Sequence, residues 1–465
     1  MNVYIPNSTP VIILIGDIML DHTIEGISTR IANEAPIPVI QSTVEKYTIG
    51  GCGNVLSNLF ALGCAKVFLF SKIGDDTHGR ILSSLLPSGV ENHLTIAGGY
   101  TTITKHRIYS DKKLMCRYDN ELCECTTIQE EKKILYMITR IIEQNTVTSV
   151  VFSDYNKGFL TDSICQRIIA LCNNHSITTV VDPKKDYNKY IGCTVIKPNR
   201  SETAHIFGID LRAVPLEQGH RMIQDRVQCK TSVITLSEEG ITAYSDNVLY
   251  QYCEDVKEII DVTGAGDIVC SVLGVYYPFI TDIQLLIKIA SHLASISISH
   301  VGVYTITASD LLHTWRYIHS TKEVSIELFR GISDPVVFTN GCFDLLHSAH
   351  IELFQYCRSL GGIVVVGINS DASIKRLKGP SRPVYSLKDR IKLLDAIEYI
   401  DFIISFEDDT PFTLIKTIKP QWLVKGGDYI KNTIIGREYA KDVCIFNYIN
   451  GKSTTNTIAS LNNQM

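Results

Sequence analysis

Two stretches of this sequence carry residue types that suit phosphate chemistry. The first is DVTGAGD, Asp261 to Asp267. Gly264, Ala265 and Gly266 stand where a helix is expected to begin, so their unencumbered N–H groups and the positive helix end can converge on a phosphate. Asp267 follows at once. A carboxylate beside an anion hole repels phosphate unless it accepts a proton or faces a cation, so general base toward an attacking hydroxyl is its most economical role. An N-cap aspartate after a glycine turn is the plainer reading of the same residues. The second stretch is TNGCFDLLHSAH, Thr339 to His350. It reads as a strand end, a turn over Cys342 to Leu346, and a helix whose first turn carries His347 and His350 on one face. Imidazole N–H groups there can grip the phosphates of ATP and stabilise charge in an in-line displacement. Two histidines without further ligands make a poor zinc site, and either reads equally as a packed core histidine.

Other segments gain meaning beside these two. KPNRSE, from Lys197, sets Asn199 and Glu202 three apart at a strand-to-helix junction, where both can face a hydrated Mg2+. A capping box has the same spacing. GGCGNV from Gly50 is a glycine-rich turn into a helix, and Asp17 closes the first strand where open α/β sheets bind ligands. Near the C-terminus, GKSTTNTI offers Ser453, Thr454 and Thr455 as donors for a departing pyrophosphate at a helix start. NSDASIKRLKG, from Asn369, brings Lys375, Arg376 and Lys378 toward the same sheet edge.

The elements that must position these groups alternate regularly. Apolar runs at Val11, Lys66, Ser149, Ile177, Cys193 and Ser232 read as strands of a mostly parallel sheet, with amphipathic helices between them. Residues 20–47 and 100–120 break the rhythm with alternating patterns such as TITKHRIYS, predicting an antiparallel flap that can close over a ligand and offers a dimer surface. Polar residues, a glycine and a proline over 319–334 predict a linker between domains at 1–318 and 335–465. A second alternation follows, through PVVFTNG, IVVVGINSD, FIISFEDD, WLVKGGDY and DVCIFNY, enough for one compact doubly wound domain.

Composition narrows the options. At 465 residues the chain exceeds the ~250 to 300 at which one core stops growing. A hydrophobic share of 45% is ordinary for a globular protein, and no apolar run approaches a membrane span or a signal peptide, so a cytoplasmic protein is expected. The net charge of -5 argues against a nucleic-acid surface. Fourteen scattered cysteines read as free thiols.

Residues 10–317, through IGDIMLD, GGCGNV, SDYNKG, DPKK, KPNRSE and DVTGAGD, resemble the ribokinase family of carbohydrate kinases. RIANEAP, ITKHRI and SDYNKG narrow the likeness to the kinase half of the bifunctional enzymes that make ADP-heptose. The segment from Thr339 resembles the cytidylyltransferase-like nucleotidyltransferases, and SRPV with VKGGDY is similar to the adenylyltransferase half of those same enzymes. The resemblance implies a ribokinase-like doubly wound sheet with its flap, followed by a smaller Rossmann-like domain. It implies that Asp267 is the catalytic base, that the turn at Gly264, Ala265 and Gly266 holds the transferred phosphoryl group, and that Asn199 and Glu202 organise Mg2+ through water. Asp17, Gly50, Gly51 and Asn54 would meet the sugar, and Lys105, Arg107, Lys157 or Lys184 its phosphate. In the second half it implies His347 and His350 as catalytic groups. Asn340, Gly341, Phe343, Asp371, Lys375, Lys425, Gly426, Ser453, Thr454 and Thr455 would contact ATP.

The implied activity is phosphorylation of D-glycero-β-D-manno-heptose 7-phosphate at C1, then adenylyl transfer to heptose 1-phosphate, in lipopolysaccharide core synthesis. Nothing in the sequence looks like the phosphatase needed between the two steps, so a separate partner is implied. Two other readings stand beside this: the same folds acting on another sugar phosphate or nucleotide, and a chain with only its kinase half active. The second is motivated by Ala349, which replaces the family's glycine in H-x-G-H and whose methyl is expected to face the phosphate volume.

Overall fold

The computed structural model describes residues 10–111, 113–254, 259–319, 321–329, 332, 334–427 and 433–446. The chain divides into two compact units, residues 1–306 and 307–465. Helix Ala308–His319, inside the expected first domain, falls in the second unit, where its Leu312 is buried with Val324 and Phe329.

Among the described residues, the first unit holds a sheet of nine strands. Its centre is parallel, running Val195–Ile196, Thr178–Asp182, Ser149–Ser153, Val11–Gly16, Lys66–Gly74 and Val90–Ala97 in spatial order. Ile12, Leu14, Val67, Leu69, Val150 and Val151 are fully buried, as strands covered on both faces require. Helix Ala265–Tyr276 is apolar on nearly every side from Ile268 to Val275, and it packs between helices Cys52–Ala61 and Ile283–Ser297. That packing fixes the helix end at which Asp267 stands. The opposite sheet edge is antiparallel, because Asp246 and Asn247, both with positive φ, turn Ile241–Ser245 back into Val248–Tyr252.

The flap is a separate four-stranded sheet ordered Pro38–Gly51, Ile18–Ile31, Thr104–Ser110, Lys113–Asn120. Its outer pairs are antiparallel as the alternation predicts, but its central pair, Ile18–Ile31 with Thr104–Ser110, is parallel. The chain leaves the flap after Gly51, builds two strands of the main sheet, and returns in the original direction, a crossover that alternation within a segment does not encode.

Among the described residues, the second unit carries a parallel sheet of five strands, Phe402–Phe406, Ile363–Asn369, Val336–Gly341, Trp422–Gly426 and Asp442–Phe446 in spatial order. The order reverses beside Val336–Gly341, which places its C-terminal end at the crevice where such sheets bind ligands. Phe338, Val364, Val366 and Leu423 form the core on either face. Every cysteine is a free thiol, and no helix among the described residues is long and apolar enough to cross a membrane.

Candidate functional site

In the first unit, Gly264, Ala265, Gly266, Asp267, Asn199, Glu202, Asp182, Lys184, Lys197 and Tyr155 line one cavity of 880 Å³. Gly264 caps the helix at φ 85°, a left-handed conformation that glycine adopts without steric cost, and its Cα faces the Asn54 amide. The Asp267 carboxylate is 7% exposed and held at both oxygens: Asn54 Nδ2 donates to Oδ2 at 2.6 Å and Tyr155 Oη to Oδ1 at 2.7 Å. Burial raises its pKa, while these two hydrogen bonds and the charges of Lys197 and Lys105 oppose the rise. A carboxylate so placed can take a proton from a hydroxyl in the cavity while the glycine amides face a phosphate.

Lys197 and Asp182 form a buried ion pair at 3.0 Å beside this turn, with Lys197 Nζ close to Gly266. Burial pushes the Asp182 carboxyl up to about 7, and the ammonium opposes it; the same carboxylate holds the Lys197 pKa up, which favours the ionised pair. Asn199 caps helix Arg200–Phe207, and Lys184 Nζ contacts Glu202 Oε1 at 2.8 Å, so Lys184 sits on this side of the cavity. No group of three or more His, Cys, Asp or Glu side chains among the described residues is arranged to bind a metal directly. Asn199, Glu202 and Asp182 all line this cavity, and their oxygen donors are of the kind that suits a hard cation held through water.

The expected sugar residues lie around the flap's root. Asp17 is buried and accepts from the backbone N–H groups of Tyr155, Lys157 and Phe159 at 2.9, 3.1 and 3.3 Å; burial, then the Asp154 charge, raises its pKa to about 6 despite those bonds. Gly51, at φ 59°, lets the chain pass directly over the Asp17 carbonyl, and a Cβ on Gly50 would collide with the Asp21 carboxylate. Arg107 pairs with Asp21 at 2.5 Å, Lys157 with Glu121 at 2.5 Å, and Lys105 lies 5.7 Å over the Tyr155 ring. Asn54, grouped with the sugar residues from sequence, is bonded to Asp267. Tyr155, Asp182 and Lys197 were not singled out from sequence; all three lie inside the motifs SDYNKG, DPKK and KPNRSE, which was the available signal.

In the second unit, His347 is the N-cap of helix Ser348–Ser359, and its ring stacks on His350 at 3.9 Å. His350 Nδ1 accepts from the His347 backbone N–H at 3.3 Å. Burial, then the charges of His347 and Lys378, lower the His350 pKa to about 4, so this imidazole is neutral near pH 7. Phe343, at φ 45°, turns the loop and sets its ring edge-on to His350 at 5.3 Å. Lys425 Nζ bonds Asn340 Oδ1 across adjacent strand ends, and burial lowers its pKa to about 8. Gly341 and Gly426 end those strands, while Lys375 is exposed on helix Asp371–Lys378. Ser453, Thr454 and Thr455 lie outside the described residues.

Ala349 departs from expectation. It is 1% exposed in the first turn of helix Ser348–Ser359, so its methyl is covered by protein rather than presented to an open phosphate volume. Arg390 was also missed. Fully buried, it donates to the carbonyls of Cys342, Asn369 and Tyr385 at 2.7, 2.9 and 3.1 Å and to Asp371 at 2.7 Å, tying the loop after Gly341 to the end of the neighbouring strand.

The cavity beside Asp267 in the first unit and the strand end at Gly341 in the second are the two candidate sites, and the families the chain matches make it a chain of two transferases. The sequence pattern of the pfkB family carbohydrate kinases matches residues 11–310, and that of the cytidylyltransferase-like family matches 338–455. The "Bifunctional protein HldE" of Sulfurimonas denitrificans is 38% identical over 469 residues, covering 97% of each chain. Its counterpart in Campylobacter curvus is 37% identical, covering 96% of each. Phosphofructokinase-2 from Escherichia coli, solved with potassium, shares the fold of the first unit at TM-score 0.56 and 16% identity, covering 67% of this chain and 99% of that one. The chain belongs to the pfkB carbohydrate kinases and, over its full length, to the family of bifunctional HldE proteins. It is a kinase and a nucleotidyltransferase in one polypeptide.

Proposed function

We propose that the first unit phosphorylates D-glycero-β-D-manno-heptose 7-phosphate at its anomeric hydroxyl, and that the second joins AMP from ATP to heptose 1-phosphate. The observation that carries the first step is the buried Asp267 carboxylate beside the Gly264–Gly266 turn in one cavity. Asp267 takes the proton of the anomeric hydroxyl, the sugar oxygen bonds to the γ-phosphorus, the bond to the β-phosphate oxygen breaks, and ADP leaves. Asp17 and the Gly50–Gly51 turn would meet the sugar, with Lys105, Arg107 and Lys157 the candidates for its 7-phosphate. Asn199 and Glu202, with Asp182, would hold Mg2+ through water; the ion supplies charge neutralisation on the phosphates.

In the second unit His347 and His350 donate to the ATP phosphates while the sugar 1-phosphate oxygen attacks the α-phosphorus and pyrophosphate departs. Asn340, Lys425 and the loop held by Arg390 frame that crevice. Between the two steps a separate phosphatase removes the 7-phosphate. The product, ADP-heptose, feeds lipopolysaccharide core synthesis in the cytoplasm, and the exposed apolar residues of the flap, Ile27, Ile31, Val44 and Leu114, support a homodimer.

The test is incubation of the protein with heptose 7-phosphate, ATP and Mg2+, with and without an added heptose bisphosphate phosphatase, and mass analysis of the products. Heptose 1,7-bisphosphate alone, and ADP-heptose once phosphatase is present, is the expected result. No bisphosphate, or an ADP-sugar formed without phosphatase, contradicts the proposal.

A further inference from the structure

Tyr155 sits at the junction of two carboxylates. Its backbone N–H donates to Asp17 Oδ2 at 2.9 Å and its phenol to Asp267 Oδ1 at 2.7 Å. The turn that carries it is fixed at both ends. Asp154, just before it, is buried in an ion pair with Lys189 at 2.6 Å and a hydrogen bond from Tyr190 at 2.7 Å, and Asn156, just after it, has φ 57° and donates its N–H to Asp154 Oδ1 at 2.7 Å. The phenol therefore reaches Asp267 from a rigid base, while Asn54 approaches the other oxygen from helix Cys52–Ala61. A carboxylate oxygen has two lone pairs, so Oδ1 can keep the phenol and still accept a substrate hydroxyl.

We propose that Tyr155 is a positioning residue for sugar phosphorylation: its phenol holds and aims the Asp267 carboxylate, and its backbone ties the base to the Asp17 end of the sugar site. This rests on the reading of Asp267 as the base. Without such donors a carboxylate this deeply buried would drift toward its protonated, inactive form, since desolvation is the largest influence on it and acts in that direction. The phenol itself stays protonated, because burial and the Asp267 charge raise its pKa far above neutrality. It is a permanent donor and takes no part as an acid.

The experiment is the pH profile of kcat for sugar phosphorylation in the wild type, in Tyr155→Phe and in protein with 3-fluorotyrosine at position 155, with Asp267→Asn as reference. Removing a hydrogen bond to a charged group should move the acid limb of Tyr155→Phe to higher pH by about one to two units. The fluorinated phenol, a stronger donor with the same fold, should move it to lower pH. Limbs that coincide in all three proteins overturn the inference, even if Tyr155→Phe is slower at every pH, since a purely structural role lowers the rate without shifting the limb. If Asp267→Asn retains full activity, the base assignment itself fails, an outcome distinct from unshifted limbs in an enzyme that Asp267→Asn inactivates.

Discussion

Asn199 and Glu202 cap helix Arg200–Phe207 reciprocally: Asn199 Oδ1 accepts from the Glu202 N–H at 2.8 Å, and Glu202 Oε2 accepts from the Asn199 N–H at 2.9 Å. The capping reading of N-x-x-E and the metal reading thus describe the same two residues. The cap fixes their orientation toward the cavity, and Glu202 Oε1 faces Lys184. Glu202→Gln preserves the cap while removing the charge. It should raise the Mg2+ concentration for half-maximal sugar phosphorylation by about ten- to a hundredfold, with the helix intact by circular dichroism. An unchanged Mg2+ dependence would leave the pair as a cap only.

Ala349 is buried at the start of its helix, away from open volume. Restoring the glycine should therefore leave the rate of pyrophosphate release within about threefold of wild type while destabilising the helix by about 0.5 to 1 kcal/mol. A rise well beyond that in Ala349→Gly would show the methyl obstructing the phosphates.

Lys425 gives the nucleotidyltransferase crevice a pH dependence. Burial favours its neutral form and lowers its pKa to about 8, so the ammonium proposed to meet ATP, hydrogen-bonded here to Asn340, is lost as pH rises through 8. The KM for ATP in adenylyl transfer should climb from pH 7 to pH 9. In Lys425→Met it should be high and nearly flat across that range. A wild-type KM that stays flat argues against contact between this lysine and the nucleotide.

His220 is buried between Ser232 Oγ at 2.8 Å and Thr242 Oγ1 at 3.0 Å, and burial lowers its pKa to about 3 against 6.5 for an exposed imidazole. Between those values the unfolded chain binds a proton that the folded chain does not. Stability of the first unit therefore falls as pH drops from 6.5 toward 3, by at most about 1.4 kcal/mol per pH unit from this residue. Denaturant unfolding at pH 7 and pH 5 should show that loss, and His220→Asn should reduce it. An unchanged difference would place the acid sensitivity elsewhere.

Much of this was legible in the sequence, for physical reasons. Parallel strands buried on both faces are short apolar runs, so Val11–Gly16, Ser149–Ser153 and Ile363–Asn369 announce themselves, and the glycine turn at Gly264 marks the start of helix Ala265–Tyr276. What was lost depends on partners distant in the chain. The parallel pairing inside the flap follows from where the chain travels between residues 51 and 104. Asn54 lies 213 residues from Asp267, so its donation to that carboxylate is invisible in a local motif. Tyr155 lies within SDYNKG, but the reach of its phenol to Asp267, 112 residues away, is not in the motif, and Arg390 is fully buried because four oxygens from distant segments satisfy it.

The central claim is that one chain carries two separate transferase sites, and the most direct measurement is to assay both half-reactions in Asp267→Asn and in His350→Ala. Sugar phosphorylation should fall by about 10²- to 10⁴-fold in Asp267→Asn with adenylyl transfer unchanged. His350→Ala should lose about 10²- to 10³-fold in pyrophosphate release with phosphorylation unchanged. Both activities falling together in either variant would contradict the account.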